Sequence, residues 1–363
     1  MTAASSQRTL DGIQFGRAVA AILVVLYHGG RMLPQYFGNI GLAKYFEFGN
    51  AGVDFFFVLS GFIIFYVHGK DIGQPARLGN YLMRRFTRIY PIYWVVTAFV
   101  IALFVAKGDW APLSLSHIVR SLILFPDDSD PVVGVAWTLC HEVTFYLVFA
   151  ALIASRKIGG ALILAWLALV IWGIFQPHQQ SNIKFLESSY HIEFVLGAGA
   201  AYCARKYPVA AAPGLVILGL LAFVIVGLQF NDLANKVPVA GRLMYGIAST
   251  LIIFGLAVWE KSGKISFPRW ASFLGAASYS IYLIHTYVLG WIGKGLAIFL
   301  HSAPNLLYLV SDIGATAAGC LLYGAASALI IFGLAVWESS GKISFPSPIS
   351  DGPSTTADAP TRH

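Results

Sequence analysis

The chain has 363 residues, of which 57% are hydrophobic and 11% are charged, and its formal net charge at pH 7 is +7. An ordinary soluble domain carries roughly 25% charged residues, so this chain has too little charge to cover a soluble surface. The composition excludes a typical cytosolic enzyme, a disordered protein and a nucleic-acid-binding protein. The excess of basic residues is better explained by loops that orient membrane helices. We therefore predict an all-α, polytopic membrane protein.

Ten stretches of the chain are apolar over about the 20 residues that a helix needs to cross a bilayer. Together they define one membrane domain over residues 1–341. The polar tail, residues 342–363, is rich in Ser, Pro, Asp and Thr, and we predict that it is disordered. The predicted spans are residues 13–29, 51–68, 89–106, 134–154, 160–175, 190–204, 212–229, 242–259, 273–292 and 306–337.

The placement of lysine and arginine tests this count of spans. With the N-terminus in the cytoplasm, 15 basic residues fall on inner loops and tails, and 8 fall on outer loops. Inner loops of membrane proteins carry the excess of basic residues. The pattern therefore favours ten spans with both termini cytoplasmic in a plasma membrane.

Part of the chain is duplicated. Residues 243–270 and 321–348 differ at only 6 of 28 positions, with a constant offset of 78 residues. A solenoid would repeat along the chain with a period of about 20–50 residues, so one pair of copies indicates a segmental duplication. The second copy is predicted to complete the last span.

Several ionisable side chains lie inside predicted spans, where each costs roughly 2.5–3.5 kcal/mol to insert. Such residues are functional candidates, although each also has a structural interpretation. Arg17 can extend its head group to the interface, Asp54 can cap the start of a helix, and residues 191 and 193 lie at a span end, which favours a structural role. The set comprises Arg17, His28, Asp54, Glu142, His191, Glu193 and His285.

Helical spacing groups these residues. Glu142 and Tyr146 are i,i+4 neighbours, and Ser278, Tyr282 and His285 form a polar stripe on one helix face. A rise of 1.5 Å per residue puts His28, Glu142 and His285 at similar depths in the outer half of the membrane. We therefore expect a histidine base to meet a carboxylate that orients it.

A cluster of three arginines precedes the third predicted span. Arg84, Arg85 and Arg88 would lie at its cytoplasmic mouth, where they could anchor lipid head groups. Three arginines within five residues also suit an anionic phosphate ligand. The spacing alone leaves both interpretations open.

Five segments in order resemble the membrane acyltransferase-3 family, especially its exopolysaccharide O-acetyltransferase branch. They are IQFGRAVAAILVVLYH (13–28), NAGVDFFFVLSGFIIF (50–65), YLMRRFTRIYPIYW (81–94), WTLCHEVTFY (137–146) and SYSIYLIH (278–285). Family members are ten-span bacterial inner-membrane proteins that transfer acyl groups, usually acetyl from acetyl-CoA, to sugar hydroxyls. Where the family often ends its last span with a Tyr…Glu-x-Pro pattern, this chain has Trp337, Glu338 and Ser339.

The resemblance implies roles for individual residues. His28 and Glu142 would be catalytic, and Arg85 and Arg88 would bind the acyl donor. The motif residues Arg17, Asp54, Trp137, Tyr146, Ser278, Tyr282 and His285 would support them.

The leading hypothesis is therefore an O-acyltransferase that takes an acyl group from acyl-CoA and modifies a saccharide or lipid-linked saccharide. It would need the bilayer but no metal and no permanently bound cofactor. Direct transfer and a relay through an acyl-histidine both fit. The alternative is a proton-coupled permease, in which the intramembrane histidines and carboxylates would carry protons. A serine hydrolase is disfavoured because Ser60 lacks the G-x-S-x-G elbow.

Overall fold

The computed structural model describes residues 10–37, 46–175, 184–207, 210–230 and 237–302, and the regular structure within those ranges is helical. This confirms the all-α prediction. The helices are α1 (Asp11–Phe37), α2 (Gly52–His68), α3 (Leu78–Lys107), α4 (Leu115–Leu122), α5 (Trp137–Ala154), α6 (Arg156–Phe175), α7 (Tyr190–Lys206), α8 (Ala212–Gln229), α9 (Val239–Lys261) and α10 (Arg269–Ser302).

Within the described ranges, eight helical segments are long and apolar enough to cross a membrane: those built on α1, α2, α3, α5, α6, α8, α9 and α10. The protein is thus a multi-pass membrane protein. The predicted span 190–204 corresponds to α7, which at 17 residues is shorter than the usual 20. The predicted span 306–337, the second repeat copy and the tail 342–363 lie outside the described residues.

Three helices extend well beyond the predicted spans. Helix α3 begins at Leu78 rather than near residue 89, α1 continues to Phe37, and α10 runs from Arg269 to Ser302. Hydropathy marks the apolar part of a helix, whereas arginine and other long polar side chains continue it readily. Arg85 and Arg88, predicted to precede the third span, therefore lie two to three turns after the first residue of α3.

One end of the bundle brings the start of α1 together with the ends of α7 and α9. The backbone N–H groups of Asp11 and Gly12 donate to Glu260 at 2.7 and 2.9 Å, and Lys261 Nζ donates to the carbonyl of Ala204 at 2.8 Å. We call this end the basic end. Its helix termini and loops carry Lys70, Arg77, Arg156, Lys157, Arg205, Lys206, Lys261 and Lys264.

Helices α1 and α10 run parallel and pack closely. A Cβ on Gly275 would lie 2.2 Å from the carbonyl oxygen of Gln14, and one on Gly293 would lie 2.6 Å from the ring of Tyr36. Glycine at both contacts lets the helices approach closely. This register brings the middle of α1, near residue 28, beside the middle of α10, near residue 285.

Helices α2 and α7 also cross with their backbones in direct contact. A Cβ on Gly197 would lie 1.8 Å from the carbonyl oxygen of Val58, and one on Gly61 would lie 2.0 Å from the carbonyl oxygen of Phe194. No side chain fits between these two backbones. The crossing holds the start of α7 against the start of α2, at the end of the bundle opposite the basic end.

The glycine crossing predicts the effect of adding a single methyl group. Gly197→Ala should destabilise the protein by about 1–3 kcal/mol or more, because the methyl group would overlap the backbone of α2. Gly199→Ala is the matched control, since a Cβ there meets nothing within 4 Å and alanine favours a helix by about 0.5–1 kcal/mol. Thermal unfolding of both purified variants in detergent measures the difference, and equal midpoints would contradict a close crossing.

Candidate active site

Two histidines from α1 and α10 form a hydrogen-bonded pair. His28 Nδ1 lies 3.1 Å from His285 Nε2 and 3.0 Å from the carbonyl oxygen of Val24. His285 Nδ1 lies 2.6 Å from the carbonyl oxygen of Tyr282. His285 is buried, whereas His28 is partly exposed. The contact is the one that the α1–α10 register predicts.

The surrounding carbonyl groups determine which nitrogen of each neutral ring carries a proton. A carbonyl oxygen only accepts, so His285 Nδ1 donates to Tyr282 and its Nε2 offers a lone pair. His28 Nδ1 therefore donates, sharing its proton between Val24 and His285. The Nε2 atom of His28 keeps a lone pair and has no hydrogen-bond partner among the described residues, which is the state that a general base or nucleophile requires.

A cavity inside the bundle is lined by residues of α1, α2, α3, α5 and α10, and neither histidine of the pair is among those lining residues. Tyr282 belongs to both, because it lines the cavity and its carbonyl holds His285. The phenol of Tyr282 is held by Thr138 at 2.9 Å and by the carbonyl of Val135 at 3.0 Å. The polar residues of the wall are Arg17, Ser60, Arg88, Thr138, Glu142, Ser278, Tyr279 and Tyr282.

Glu142 is anchored in the wall of this cavity. Its Oε1 atom accepts a hydrogen bond from Ser60 Oγ at 3.1 Å and another from the Tyr146 hydroxyl. The predicted neighbours Glu142 and Tyr146 therefore do interact. Among the described residues, however, Glu142 makes no hydrogen bond to His28. The expectation that a carboxylate orients the histidine base is wrong, and His285 occupies that position.

Only one of the two predicted donor-binding arginines lines the cavity. Arg88 lines the cavity, and Arg17 lines it from α1. Arg85 is not on the wall: it is buried, and its Nη2 atom lies 3.2 Å from His68 Nε2. Its guanidinium lies over the rings of Tyr81 and Tyr146. Although an i,i+3 pair shares a broad helix face, only Arg88 reaches the cavity.

The charges on the cavity wall favour an anionic ligand. Arg17 and Arg88 contribute two positive charges and Glu142 contributes one negative charge, which leaves a formal excess of +1. Arginine suits phosphate and carboxylate ligands because its planar guanidinium donates two parallel hydrogen bonds. The rest of the wall is largely apolar and aromatic, which suits an extended organic chain.

Two predicted supporting residues lie away from the cavity. Asp54 lies in the first turn of α2, whose N-cap is Ala51, and it accepts from Arg242 Nη1 at 2.8 Å. Trp137 packs on the rings of Tyr190 and His141. These contacts support the walls of the site without facing its interior.

Sequence reasoning missed residues whose importance depends on distant partners. Arg242 is counted among outer-loop cations by sequence, but its side chain is only 13% exposed because it pairs with Asp54. His68 links Asp71, at 2.8 Å, to Arg85. Ser60, considered only as a nucleophile, is a hydrogen-bond donor to Glu142. Apart from the i,i+3 spacing of His68 and Asp71, no local signal marks these pairings, because the partners lie on other helices.

Comparison with known proteins adds independent information. A family model described as an acyltransferase domain matches residues 10–334. The exopolysaccharide production protein ExoZ of Rhizobium meliloti (strain 1021) is 31% identical over 282 residues, which cover 73% of this chain and 84% of that protein. Protein 2 in the picA locus of Rhizobium radiobacter is 36% identical over 163 residues, covering 39% of this chain and 79% of that protein.

A candidate O-acetyltransferase of Staphylococcus aureus (strain COL) is 22% identical over 332 residues, covering 78% of this chain and 51% of that protein. No solved structure matches the chain. The family match extends over every described helix. The chain therefore belongs to the acyltransferase-3 family of membrane proteins, and it is an acyltransferase.

Proposed function

We propose that this protein transfers an acyl group, acetyl in the first instance, from acyl-CoA to a hydroxyl of a cell-surface polysaccharide or of its lipid-linked precursor. One observation carries the proposal. A histidine pair that leaves the Nε2 lone pair of His28 free is connected, through Tyr282, to a cavity with two arginines in its wall. A base and an anion-binding cavity are what transfer from a coenzyme A thioester requires.

The proposed orientation puts the basic end in the cytoplasm of a bacterial cell, with ten spans in the inner membrane and both termini cytoplasmic. The support is the concentration of lysine and arginine at that end, since cytoplasmic loops carry this excess. Acyl-CoA is made in the cytoplasm, so the donor enters from the basic end. His28 then faces the outer half of the membrane.

The helical rise gives the distances that the donor must cover. From the start of α1 at Asp11, Arg17 is about 9 Å along the helix and His28 is about 25 Å. Arg88 is about 15 Å from the start of α3. Phosphates held near Arg88 and Arg17 therefore leave a gap of about 16 Å along α1 to His28. The pantetheine arm of coenzyme A is an extended chain that suits such a gap.

The acceptor approaches from the opposite end. His28 is partly exposed there, one turn from Arg31, whose guanidinium is held by Glu47 at 2.8 Å and is 45% exposed. The name of the Rhizobium meliloti relative refers to exopolysaccharide production, which supports a saccharide acceptor. A hydroxyl close to His28 Nε2 completes the proposed reacting pair.

The chemistry uses the lone pair of His28. Its Nε2 atom removes the proton from the sugar hydroxyl while the hydroxyl oxygen attacks the thioester carbonyl carbon. The tetrahedral intermediate collapses, the carbon–sulfur bond breaks, and the coenzyme A thiolate takes the proton from His28. His285 holds the imidazole and its Nδ1 proton in place throughout. An acyl-histidine relay would use the same Nε2 atom, and a burst of free thiol without acceptor would reveal it.

The first prediction of this proposal concerns His28. In the purified protein, His28→Ala should lower acetyl transfer by about 10²-fold or more, because the general base is lost. Radiolabel transfer from acetyl-CoA to exopolysaccharide measures the rate, and an unchanged thermal midpoint shows that the variant is folded. Near-normal transfer by the folded variant would contradict the proposed role.

The second prediction separates orientation from packing at His285. In His285→Gln, the amide oxygen can still accept the His28 Nδ1 proton, so this variant should keep a measurable part of the rate. His285→Leu has a similar volume but no acceptor, and it should approach the rate of His28→Ala. We expect the two variants to differ by about 10-fold or more. If the two variants are equally stable and transfer the acyl group at equal rates, His285 only packs against His28 and does not orient it.

The third prediction distinguishes the arginines. Arg88→Ala should raise the KM for acyl-CoA by about 10-fold, as expected when a charged hydrogen bond worth about 1.5–3 kcal/mol is lost. Arg84→Ala is the matched control, because Arg84 lies one turn earlier and bonds Asn80 at 3.1 Å outside the cavity. Arg85→Ala should lower the thermal unfolding midpoint, and it should weaken coenzyme A binding less than Arg88→Ala does. Calorimetry with coenzyme A checks this order, and a larger affinity loss for Arg85→Ala than for Arg88→Ala would refute it.

A further inference from the structure

A second group of buried polar side chains lies away from the cavity and takes no part in the proposed reaction. Five buried side-chain polar atoms lack a hydrogen-bond partner among the described residues, and four of them belong to Asp54, Glu193 and Ser249. All three side chains are 0% exposed. Native proteins rarely leave buried polar groups without a partner, so this concentration in α2, α7 and α9 requires an explanation.

The contacts within the group are specific. Asp54 Oδ2 accepts from Arg242 Nη1 at 2.8 Å, and the carboxyl group of Glu193 lies next to that of Asp54. A Cβ on Gly246 would lie 3.0 Å from Cγ of Glu193. The glycine thus lets the carboxyl group of Glu193 pack directly on the backbone of α9.

The formal charges of this group do not balance. Asp54 and Glu193 as carboxylates carry two negative charges, and Arg242 supplies one positive charge. Two carboxylates cannot hydrogen-bond each other because neither carries a proton, which leaves Asp54 Oδ1 and both Glu193 oxygens without a donor. An uncompensated charge buried in an apolar bundle is strongly destabilising.

We propose that Asp54 and Glu193 form a binding site for one proton, carried by Glu193, whose hydroxyl donates to Asp54 Oδ1. Asp54 is the ionised partner because its other oxygen already pairs with Arg242. One proton removes the excess charge and joins Asp54 Oδ1 to one oxygen of Glu193 by a hydrogen bond. The other titratable side chains that face the pair are Tyr190 on α7 and Tyr245 on α9.

The proton holds three helices together at the end opposite the basic end. With it, Asp54 on α2, Glu193 on α7 and Arg242 on α9 form one neutral chain of hydrogen bonds. Tyr190 connects this chain to the cavity wall, since its ring packs on Phe57 at 4.8 Å between centroids and Phe57 lines the cavity. The site is independent of the acyl transfer chemistry, so it can be tested without activity measurements.

Infrared spectroscopy of the full-length protein in nanodiscs detects the proton directly. At neutral pH, the wild type should show the C=O stretch of a protonated carboxylic acid, which shifts in D₂O. Glu193→Gln should abolish this band. Glu260→Gln is the matched control and should retain it, because both Glu260 oxygens already accept backbone N–H groups. Absence of the band from the wild type, or its persistence in Glu193→Gln, would overturn the proposal.

Thermal unfolding supplies a second measurement. Glu193→Gln should keep the wild-type midpoint within a few degrees, because an amide N–H can replace the acid O–H toward Asp54. Asp54→Asn should lower the midpoint by clearly more, because Arg242 loses its counter-charge. The wild-type midpoint should be the same in NaCl and in choline chloride. Stabilisation by Na⁺ that is lost in Glu193→Gln would assign the site to a metal cation instead and overturn the proton assignment.

Discussion

The arrangement depends on one constraint: a polar side chain inside an apolar bundle must find its partner within the protein. Water is not available there, and each unpaired polar group costs several kcal/mol. His285 meets this constraint through the carbonyl of Tyr282 on one side and the Nδ1 proton of His28 on the other. The Tyr282 carbonyl accepts the proton of His285 Nδ1, and His285 Nε2 accepts the proton of His28 Nδ1. The lone pair of His28 Nε2 is therefore left without a partner among the described residues.

The polar side chains around the cavity meet the same constraint, but they leave a net charge on its wall. Glu142 is held in place by Ser60 and Tyr146, and its carboxylate offsets one of the two arginine charges in the wall. Arg85 is occupied by His68 and by two tyrosine rings, whereas Arg88 faces the empty space. The division leaves a cavity wall with a formal excess of one positive charge, which suits the proposed anionic donor. A structural arginine and the proposed donor-binding arginine thus lie on the same helix, one turn apart.

The clusters around Glu142 and Glu193 stabilise their carboxyl groups in different ways. Around Glu142, hydroxyl donors supply the hydrogen bonds and the carboxylate opens onto a cavity. Around Glu193, no donor is present among the described residues, and the group is closed by the backbone of α9 and by the ion pair of Arg242 with Asp54. A donor-rich, open carboxylate suits a site that binds and releases substrate, whereas a closed one needs a proton to remain stable.

The sequence by itself determined the membrane class, the helical architecture and the family, and it named the candidate site residues, because composition, hydropathy and five ordered motifs are local properties of the chain. It could not determine which positions meet. The similar depths of His28, Glu142 and His285 allowed either partner for His28, and only the glycine-lined register of α1 against α10 selected His285. Likewise, Arg242 and Asp54 are 188 residues apart, and Arg85 and Arg88 differ only in which neighbours reach them. Such pairings arise from packing between helices distant in sequence, so only the tertiary structure decided them.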